Sequence, residues 1–227
     1  MRAMLLAAGR GERMRPLTLE RPKPLIEVRG RALIDRHIAA LAACGIRDLV
    51  INVSWLGEQI VAHCGDGERY GARIRYSREA QPLETAGGIV RALPLLGAAP
   101  FLLVNADILT DYPFDALRAR ARDIAPRQAR LVLVDNPAHN AGGDFSLHRG
   151  RVTAAGPQTL TYAGIGVYDP GFFHGCAPGP RPLRPLLERA IAAGLLHGEH
   201  YRGHWADVGT PERLRRLNQP ARSSSHD

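Results

Sequence analysis

The chain has 227 residues, of which 45% are hydrophobic and 23% are charged, a composition typical of a globular protein with one substantial core. A formal net charge of +8 permits nucleic-acid binding, but the basic residues are scattered without a long basic run, so we do not expect nucleic acid as a partner. Three widely spaced cysteines without a CxxC pair argue against a disulfide framework and against a cysteine zinc site.

The first apolar run, Ala3 to Ala7, predicts a buried strand. It is too short for a signal peptide, and no stretch approaches the roughly 18 apolar residues of a membrane span, so we expect a cytoplasmic protein without a membrane partner. Gly9 and Gly11 follow at once and let the backbone approach a ligand closely, as in loops that hold polyphosphate. Three guanidinium groups that match phosphate oxygens lie in the same loop, on Arg10, Arg13 and Arg15.

Lys23 is the only lysine among the 30 basic residues of the chain. Pro22 and Pro24 flank it and hold its stem on a stiff segment. A compact ammonium group there would act as a point charge on a phosphate, and a solvated surface lysine is the alternative. The glycine loop is not a dinucleotide-binding fingerprint, because Met14 stands where a third small residue is needed, and no Walker A sequence occurs.

Together, the runs LAAGRGERMRPLT and PKPL resemble the signature of sugar-1-phosphate nucleotidyltransferases, which join a nucleoside triphosphate to a sugar 1-phosphate and release pyrophosphate. The resemblance implies an α/β, three-layer Rossmann-like fold, with a mostly parallel central sheet, helices on both faces and a small β-hairpin substructure. It also implies that Arg15 contacts the leaving phosphates and that Lys23 neutralises charge at the reacting phosphorus. The loop residues implied to bind the nucleotide are Ala8, Gly9, Gly11, Glu12 and Arg13.

Alternating strands and helices are predicted after this loop. An apolar stripe predicts a helix over Leu33–Ala43, in which His37 is a packed residue rather than a ligand. The segment 79–88 interrupts the pattern before a helix predicted over 89–96, for which Thr85 is the expected N-cap. Further strands are predicted at 49–53, 73–76, 101–104, 131–134 and 163–168. Further helices are predicted at 57–64, 113–122, 182–193 and 211–218.

In the resembling family the segment equivalent to 79–88 contacts the nucleobase, and an ordinary capped turn is the alternative. Pro82, Glu84 and Gly87 are therefore candidates for nucleotide binding. Glu84 would accept a hydrogen bond from base or ribose, while the glycine pair would let the backbone lie against a flat group.

Asn105 and Asp107 follow the apolar strand predicted at 101–104. Ligands of open α/β sheets bind beyond the carboxyl ends of the strands, so Asp107 could hold Mg²⁺ and Asn105 could contact the sugar. A carboxylate that caps the next loop is the alternative, and Asp111 is a less favoured substitute.

Asp207 stands between Trp205 and Val208, which the pattern predicts to be buried. An unpaired carboxylate is unfavourable in such surroundings, and a shared metal would remove the penalty. The family pattern W-x-D-V-G-T supplies a second Mg²⁺ ligand at this position. The resemblance therefore implies that the carboxylates of Asp107 and Asp207 both bind Mg²⁺. The predicted catalytic residues are Arg15, Lys23, Asp107 and Asp207.

A hairpin is predicted between 145–147 and 152–154, after a glycine-rich run. This part resembles the sugar-binding half of the family. Asp144 would face the acceptor, and Thr161 and Gly164 would line the same pocket.

The resemblance covers nearly the whole chain and implies one domain over 1–219, in which 1–112 hold mainly the nucleotide and 113–219 mainly the sugar phosphate. Residues 220–227 are expected to form a flexible tail. Runs such as PLETAGGI and GEHYRGHWADVGT are most similar to the N-acetylmuramate-1-phosphate uridylyltransferases of peptidoglycan recycling, which implies UTP and a sugar 1-phosphate as substrates and Mg²⁺ as cofactor. Mannose-1-phosphate guanylyltransferases are the nearest alternative, and a nucleotide-binding regulatory module is the non-enzymatic one. The sequence leaves the oligomeric state open.

Overall fold

A computed structural model describes residues 1–219 of the chain, and the predicted tail 220–227 lies outside them. The strands are β1 (Arg2–Leu6), β2 (Glu27–Val28), β3 (Arg31–Ala32), β4 (Asp48–Val53), β5 (Arg73–Arg78), β6 (Phe101–Asn105), β7 (Ile108–Thr110), β8 (Ala129–Val134), β9 (Phe145–His148), β10 (Arg151–Thr153), β11 (Thr159–Tyr168), β12 (Leu196–Tyr201) and β13 (Trp205–Asp207). The α-helices are α1 (Leu17–Glu20), α2 (Leu33–Ala43), α3 (Gly57–Cys64), α4 (Glu84–Leu96), α5 (Phe114–Arg120), α6 (Arg184–Ala192) and α7 (Pro211–Asn218).

Nine strands form one mixed sheet in the order β5-β4-β1-β6-β11-β8-β12-β10-β9. The strands β5, β4, β1 and β6 pair in parallel, as do β8 and β12, whereas β11 runs antiparallel between β6 and β8. The predicted hairpin is present as β9 and β10, and it extends the sheet beyond β12. The predicted α/β fold with a central sheet and a small hairpin is therefore confirmed, and the parallel pairs of this mixed sheet lie in β5-β4-β1-β6 and in β8-β12.

Helices cover both faces of this sheet. Successive residues of a strand point to opposite faces, so each face packs against its own helices. In β1, Leu5 belongs to a core cluster that includes Ile38 of α2 and Ile60 of α3. Its neighbour Met4 belongs to a second cluster, on the other side, with Ile89 of α4. The first cluster also takes in α5, and the second also takes in α6. None of the helices in the described part of the chain is long and apolar enough to cross a membrane.

A third, smaller cluster ties the amino-terminal loop to the carboxyl-terminal part of the chain. Val208, which follows β13, packs there with Met14 of the glycine-rich loop. The same cluster includes Val28 of β2 and Leu33 of α2. This packing brings the glycine-rich loop and the segment that follows β13 together.

The start of α4 differs from the prediction. The helix begins at Glu84 rather than at residue 89, so Thr85 lies inside its first turn and is not the N-cap. The N–H groups of Ala86 and Gly87 donate to the carbonyl oxygen of Arg181, at 3.0 and 3.2 Å. Since a distant backbone segment satisfies these first-turn donors, the helix can start without a capping side chain.

The strands and helices that the sequence predicts are present with a few different boundaries, whereas β12 and the short elements α1, β2, β3 and β7 were not predicted. The helices α2, α3 and α7 have the predicted bounds, whereas α5 and α6 are shorter at both ends. The strand β12, with the sequence LHGEHY, was not predicted because it carries polar residues in place of an apolar run. Its parallel pairing with β8 stabilises it as a strand.

Candidate active site

The site lies at the carboxyl ends of β1 and β6, which are neighbours in the sheet. Leu6 pairs with Asn105, and the N–H of Ala106 donates to the carbonyl oxygen of Leu6 at 3.1 Å. The glycine-rich loop that follows β1 and the acidic turn that follows β6 therefore meet at one edge, as expected for ligand sites of open α/β sheets.

Lys23 and Asp107 form an ion pair at this edge. The distance between Lys23 Nζ and Asp107 Oδ2 is 2.5 Å, and the lysine side chain is 11% exposed. Both residues line a cavity of about 210 Å³. The alternative of a solvated surface lysine is therefore excluded, and the ammonium group points towards the cavity that Asp107 borders.

The glycine-rich loop has its conformation because of Gly11. Its φ is +63°, and a Cβ atom there would lie 2.8 Å from Cγ2 of Thr18. The Thr18 hydroxyl donates to the Gly11 carbonyl oxygen at 2.7 Å, which fixes the turn. At Gly9, in contrast, no described residue other than its two chain neighbours has an atom within 4 Å of the position that a Cβ would take, and Gly9 lines the cavity together with Ala8. The loop thus leaves space for a ligand beside Gly9 and Ala8.

A polar network that sequence reasoning missed borders the same cavity. Asn52 Oδ1 accepts from the N–H of Ala7 at 2.8 Å, and Asn52 Nδ2 donates to Glu79 Oε1 at 2.7 Å. Glu79 Oε2 accepts from the N–H of Leu83 at 3.0 Å, and burial raises the pKa of the Glu79 carboxyl. In the sequence, Asn52 stands out as an amide within the apolar run LVINV. Because a buried polar side chain requires a hydrogen-bond partner, this position could have indicated the network.

The segment predicted to contact the nucleobase is only partly at the cavity. Pro82 and Glu84 line it, but Gly87 does not. A Cβ at Gly87 would lie 2.3 Å from the carbonyl oxygen of Gly179, and one at Gly88 would lie 2.7 Å from Oε1 of Glu79. The glycine pair therefore makes room for the protein's own atoms, and the expected use of Gly87 against a flat ligand is corrected.

A second cavity of about 640 Å³ adjoins the first and shares Glu84, Thr85 and Asn105 with it. Asp144 lines the second cavity, and its Oδ2 accepts from the N–H of Tyr162 at 2.8 Å. Asn105 thus stands between the two cavities, with the predicted sugar-facing carboxylate on the far side.

Two other residues predicted to line the sugar pocket, Gly164 and Thr161, contact other residues of the protein and do not border the pocket. Gly164 has a φ of +74°, and a Cβ there would lie 2.5 Å from Nδ2 of Asn105, so its lack of a side chain leaves room for that amide. Thr161 is buried, and its hydroxyl donates to Asn136 at 2.9 Å and accepts from Asn140 at 3.0 Å. Neither residue lines either cavity.

Asp107 and Asp207 are close in the fold although they are distant in the sequence. The strand β13 pairs antiparallel with β7, which sets Asp207 opposite Ile108. The N–H of Val208 donates to the carbonyl oxygen of Asp107 at 2.9 Å. The backbone segments that carry the two acids are therefore hydrogen-bonded neighbours at the same edge.

The surroundings of Asp207 include two residues that sequence reasoning missed. Arg213 Nη1 donates to Asp207 Oδ2 and lies 3.2 Å from Nε2 of His139. Nε2 of His139 also lies 2.9 Å from Asp207 Oδ1, but without hydrogen-bond geometry, so this buried oxygen has no hydrogen-bond partner among the described residues. Only the tertiary structure brings these groups together.

The two acids suit a magnesium ion better than a softer metal. Within residues 1–219, no group of three or more His, Cys, Asp or Glu side chains is arranged to hold a metal. Magnesium commonly takes one or two carboxylates and completes its shell with water and substrate phosphates. The hard oxygen donors of Asp107 and Asp207 fit that requirement, and Oδ1 of Asp207 is not used in a hydrogen bond within the described part of the chain.

Three loop residues predicted to bind the nucleotide or its phosphates, Glu12, Arg13 and Arg15, are exposed at the surface. The side chain of Arg15 is 55% exposed, and its guanidinium lies 3.9 Å from the Glu12 carboxylate. Arg13 is exposed as well. None of these three residues lines the cavity, so their predicted contacts with the nucleotide stay predictions.

Residues 2–143 match the Nucleotidyl transferase family. A protein of Neisseria meningitidis serogroup B named N-acetylmuramate alpha-1-phosphate uridylyltransferase is 48% identical to this chain, over 95% of this chain and 96% of that protein. A protein of the same name from Caulobacter vibrioides is 37% identical, over 92% of each chain. A mannose-1-phosphate guanyltransferase of Aspergillus fumigatus is 33% identical, over 93% of this chain and 62% of that protein.

Solved structures support the same fold. A Bacillus anthracis protein assigned as a glucose-1-phosphate thymidylyltransferase, solved with sucrose, matches with a TM-score of 0.86 at 20% identity, over 100% of this chain and 97% of that one. HddC of Yersinia pseudotuberculosis, solved with GMP-PN, matches with a TM-score of 0.79 at 16% identity, over 95% and 97% of the two chains. The family match, the identities and the site at the ends of β1 and β6 agree with the motifs: the chain belongs to the nucleotidyl transferase family.

Proposed function

We propose that the chain transfers the uridylyl group of UTP to N-acetylmuramate 1-phosphate, giving UDP-N-acetylmuramate and pyrophosphate, in peptidoglycan recycling. The observation that carries this proposal is the 48% identity, over nearly the full length of both chains, to a protein named N-acetylmuramate alpha-1-phosphate uridylyltransferase. Relatives named for mannose-1-phosphate guanylyl transfer are less similar and longer, and they supply the second candidate function.

In the proposed reaction a phosphate oxygen of the sugar 1-phosphate attacks the α-phosphorus of UTP. The bond from that phosphorus to the bridging oxygen breaks, and pyrophosphate leaves with the electron pair. Because the nucleophile is already an anion, the enzyme needs to position the reactants and compensate charge rather than to supply a strong base.

The residues around the first cavity suit that task. The Lys23 ammonium would neutralise charge at the reacting phosphorus, and the backbone around Ala8 and Gly9 would hold the triphosphate. Asn105, which borders both cavities, would contact the acceptor beside the reacting phosphate. The first cavity is lined by residues from Leu6 to Asp107 in the chain, which supports the assignment of 1–112 to the nucleotide and of 113–219 mainly to the sugar phosphate.

Asp107 and Asp207 would hold Mg²⁺, which when bound supplies positive charge to the phosphates. The ion pair with Lys23 also fixes the Asp107 carboxylate at the cavity wall. A mere nucleotide-binding module would not need a second carboxylate beside the first.

The cytoplasmic location and the absence of a nucleic-acid partner stay predictions from composition.

The test measures release of pyrophosphate by the purified protein supplied with UTP, N-acetylmuramate 1-phosphate and MgCl₂. We expect turnover that stops when any one of the three is omitted. Faster turnover of GTP with mannose 1-phosphate would overturn the choice of substrates. Binding of UTP without turnover of any triphosphate and sugar phosphate pair would favour the regulatory module.

A further inference from the structure

Among the described residues, Arg184 is the only basic one that lines the second cavity. That cavity is bordered by the carboxylates of Glu84 and Asp144, by the rings of Phe145 and Tyr162, and by the first turn of α6, in which Arg184 is the first residue. Lys23 lines the first cavity and not the second. An anionic ligand group bound in the second cavity would therefore have the guanidinium of Arg184 as its counter-charge.

Neighbouring side chains orient the Arg184 guanidinium without using all of its donors. Its Cζ lies 4.4 Å above the ring centre of Phe145, and its Nε donates to Glu188 Oε1 at 2.7 Å. Its Nη1 lies 4.0 Å from Asp144 Oδ1. Within residues 1–219 no hydrogen bond from Nη2 is present, so part of the planar fork stays free for a ligand that accepts two hydrogen bonds.

The phosphate of the acceptor is not the anion that this guanidinium would bind. In the proposed reaction the acceptor phosphate attacks the α-phosphorus beside Lys23 and Asp107, which line the first cavity. Arg184 belongs to the second cavity, beyond Asn105. An acceptor that spans both cavities would thus need a second negative group, on the sugar, to use Arg184.

We propose that Arg184 binds a carboxylate carried by the acceptor sugar, so that the second cavity selects acidic sugar 1-phosphates over neutral ones. This inference rests on the proposed function, because N-acetylmuramate differs from N-acetylglucosamine by a lactyl ether that ends in a carboxylate. A guanidinium fork matches the two oxygens of that group, and loss of the fork penalises the acidic acceptor alone.

Equilibrium binding tests the inference without turnover. Titration calorimetry measures Kd for UDP-N-acetylmuramate and for UDP-N-acetylglucosamine with wild-type protein, Arg184→Gln and Arg184→Lys. We expect wild type to bind the acidic ligand more tightly, and Arg184→Gln to weaken only that ligand, by about 10- to 100-fold. Arg184→Lys should recover part of the preference, because it keeps the charge and loses the fork.

Arg189→Gln is the matched control, because Arg189 lies on the same helix, carries the same charge and lines a different cavity. This variant should bind both ligands as wild type does. Equal weakening of both ligands by Arg184→Gln, or no preference in wild type, would overturn the inference. Since binding is measured without turnover, an inactive wild-type protein with an Arg184-dependent preference would overturn the proposed function and leave the inference standing.

Discussion

Lys23 Nζ lies 2.5 Å from Asp107 Oδ2, although the two residues are 84 positions apart in the chain. The contact exists because β1 and β6 are parallel neighbours, so the segments that follow them share one edge of the sheet. The lysine is 11% exposed and the aspartate 34% exposed. A charge so enclosed interacts more strongly with a bound phosphate than a fully solvated one, because water screens it less.

Replacement of the lysine should remove most of the activity. We expect Lys23→Met to lower kcat by about 1,000-fold, the loss seen when one preorganised charge or donor at a transition state is removed. Arg21→Met is the control, because Arg21 is exposed and pairs with the exposed Glu27, at 3.6 Å. Steady-state kinetics of pyrophosphate release with both variants measures the effect. A kcat within about threefold of wild type for Lys23→Met would contradict the assigned role.

The contact between Arg213 and Asp207 leads to a prediction about metal binding. Arg213 fixes one oxygen of Asp207, while Oδ1 has no hydrogen-bond partner within residues 1–219, so the arginine should orient the carboxylate towards the ion. We expect Arg213→Gln to weaken binding of Mn²⁺, as a spectroscopic substitute for Mg²⁺, by about 10- to 100-fold. Electron paramagnetic resonance at fixed nucleotide concentration measures this affinity.

Arg216→Gln is the control for that experiment, because Arg216 lies on the same helix and is exposed, with Glu212 as its ion-pair partner. This control should bind Mn²⁺ as wild type does. If Arg213→Gln keeps the wild-type affinity, the arginine has only a structural role at the end of β13.

Gly164 should not tolerate a side chain. Its φ of +74° disfavours any other residue, and an added Cβ would contact Asn105 at 2.5 to 2.9 Å. We expect Gly164→Ala to lower the free energy of unfolding by about 1–3 kcal/mol and to raise KM for the acceptor, because Asn105 must move. Gly142→Ala, whose Cβ would have no described atom within 4 Å, should be neutral in urea unfolding and in kinetics. Equal unfolding midpoints for the two variants would show that Asn105 moves without penalty.

His37 should make stability depend on pH. The ring is buried, its Nε2 lies 2.9 Å from the carbonyl oxygen of Ile108, and burial lowers its pKa to about 4. Because the unfolded chain has the ordinary histidine pKa of about 6.5, protonation favours unfolding as the pH falls below that value, and the loss is complete below the folded pKa. Between about pH 7.5 and about pH 5 this one group should lower the free energy of unfolding by about 2 kcal/mol.

Urea unfolding of wild type and His37→Gln at both pH values measures the contribution. The glutamine keeps an amide donor near Ile108 and does not titrate. We therefore expect a smaller loss of stability on acidification in the variant than in wild type. An identical pH dependence for the two proteins would contradict burial of a neutral ring at this position.

Much of the architecture follows from local patterns. The apolar stripe of α2 and the proline start of α7 predicted those helices to the residue, because periodicity and capping act over a few neighbours. The motif at the first turn, the single lysine and the W-x-D-V-G-T run led to the family, which is confirmed. The start of α4 was missed, since its first N–H groups bond to Arg181 across the fold.

By itself, then, the sequence determined most of the longer strands and helices, the family, and a short set of chemically suited residues headed by Lys23, Asp107 and Asp207. The tertiary structure alone decided which of them share a cavity, that Gly87 packs against backbone, that Arg184 lines the second cavity and that Arg213 contacts Asp207. The physical reason is the distance along the chain over which each effect acts. Periodicity and turn chemistry act between near neighbours, whereas a cavity is made by strand pairing and side-chain packing between segments that no local pattern connects.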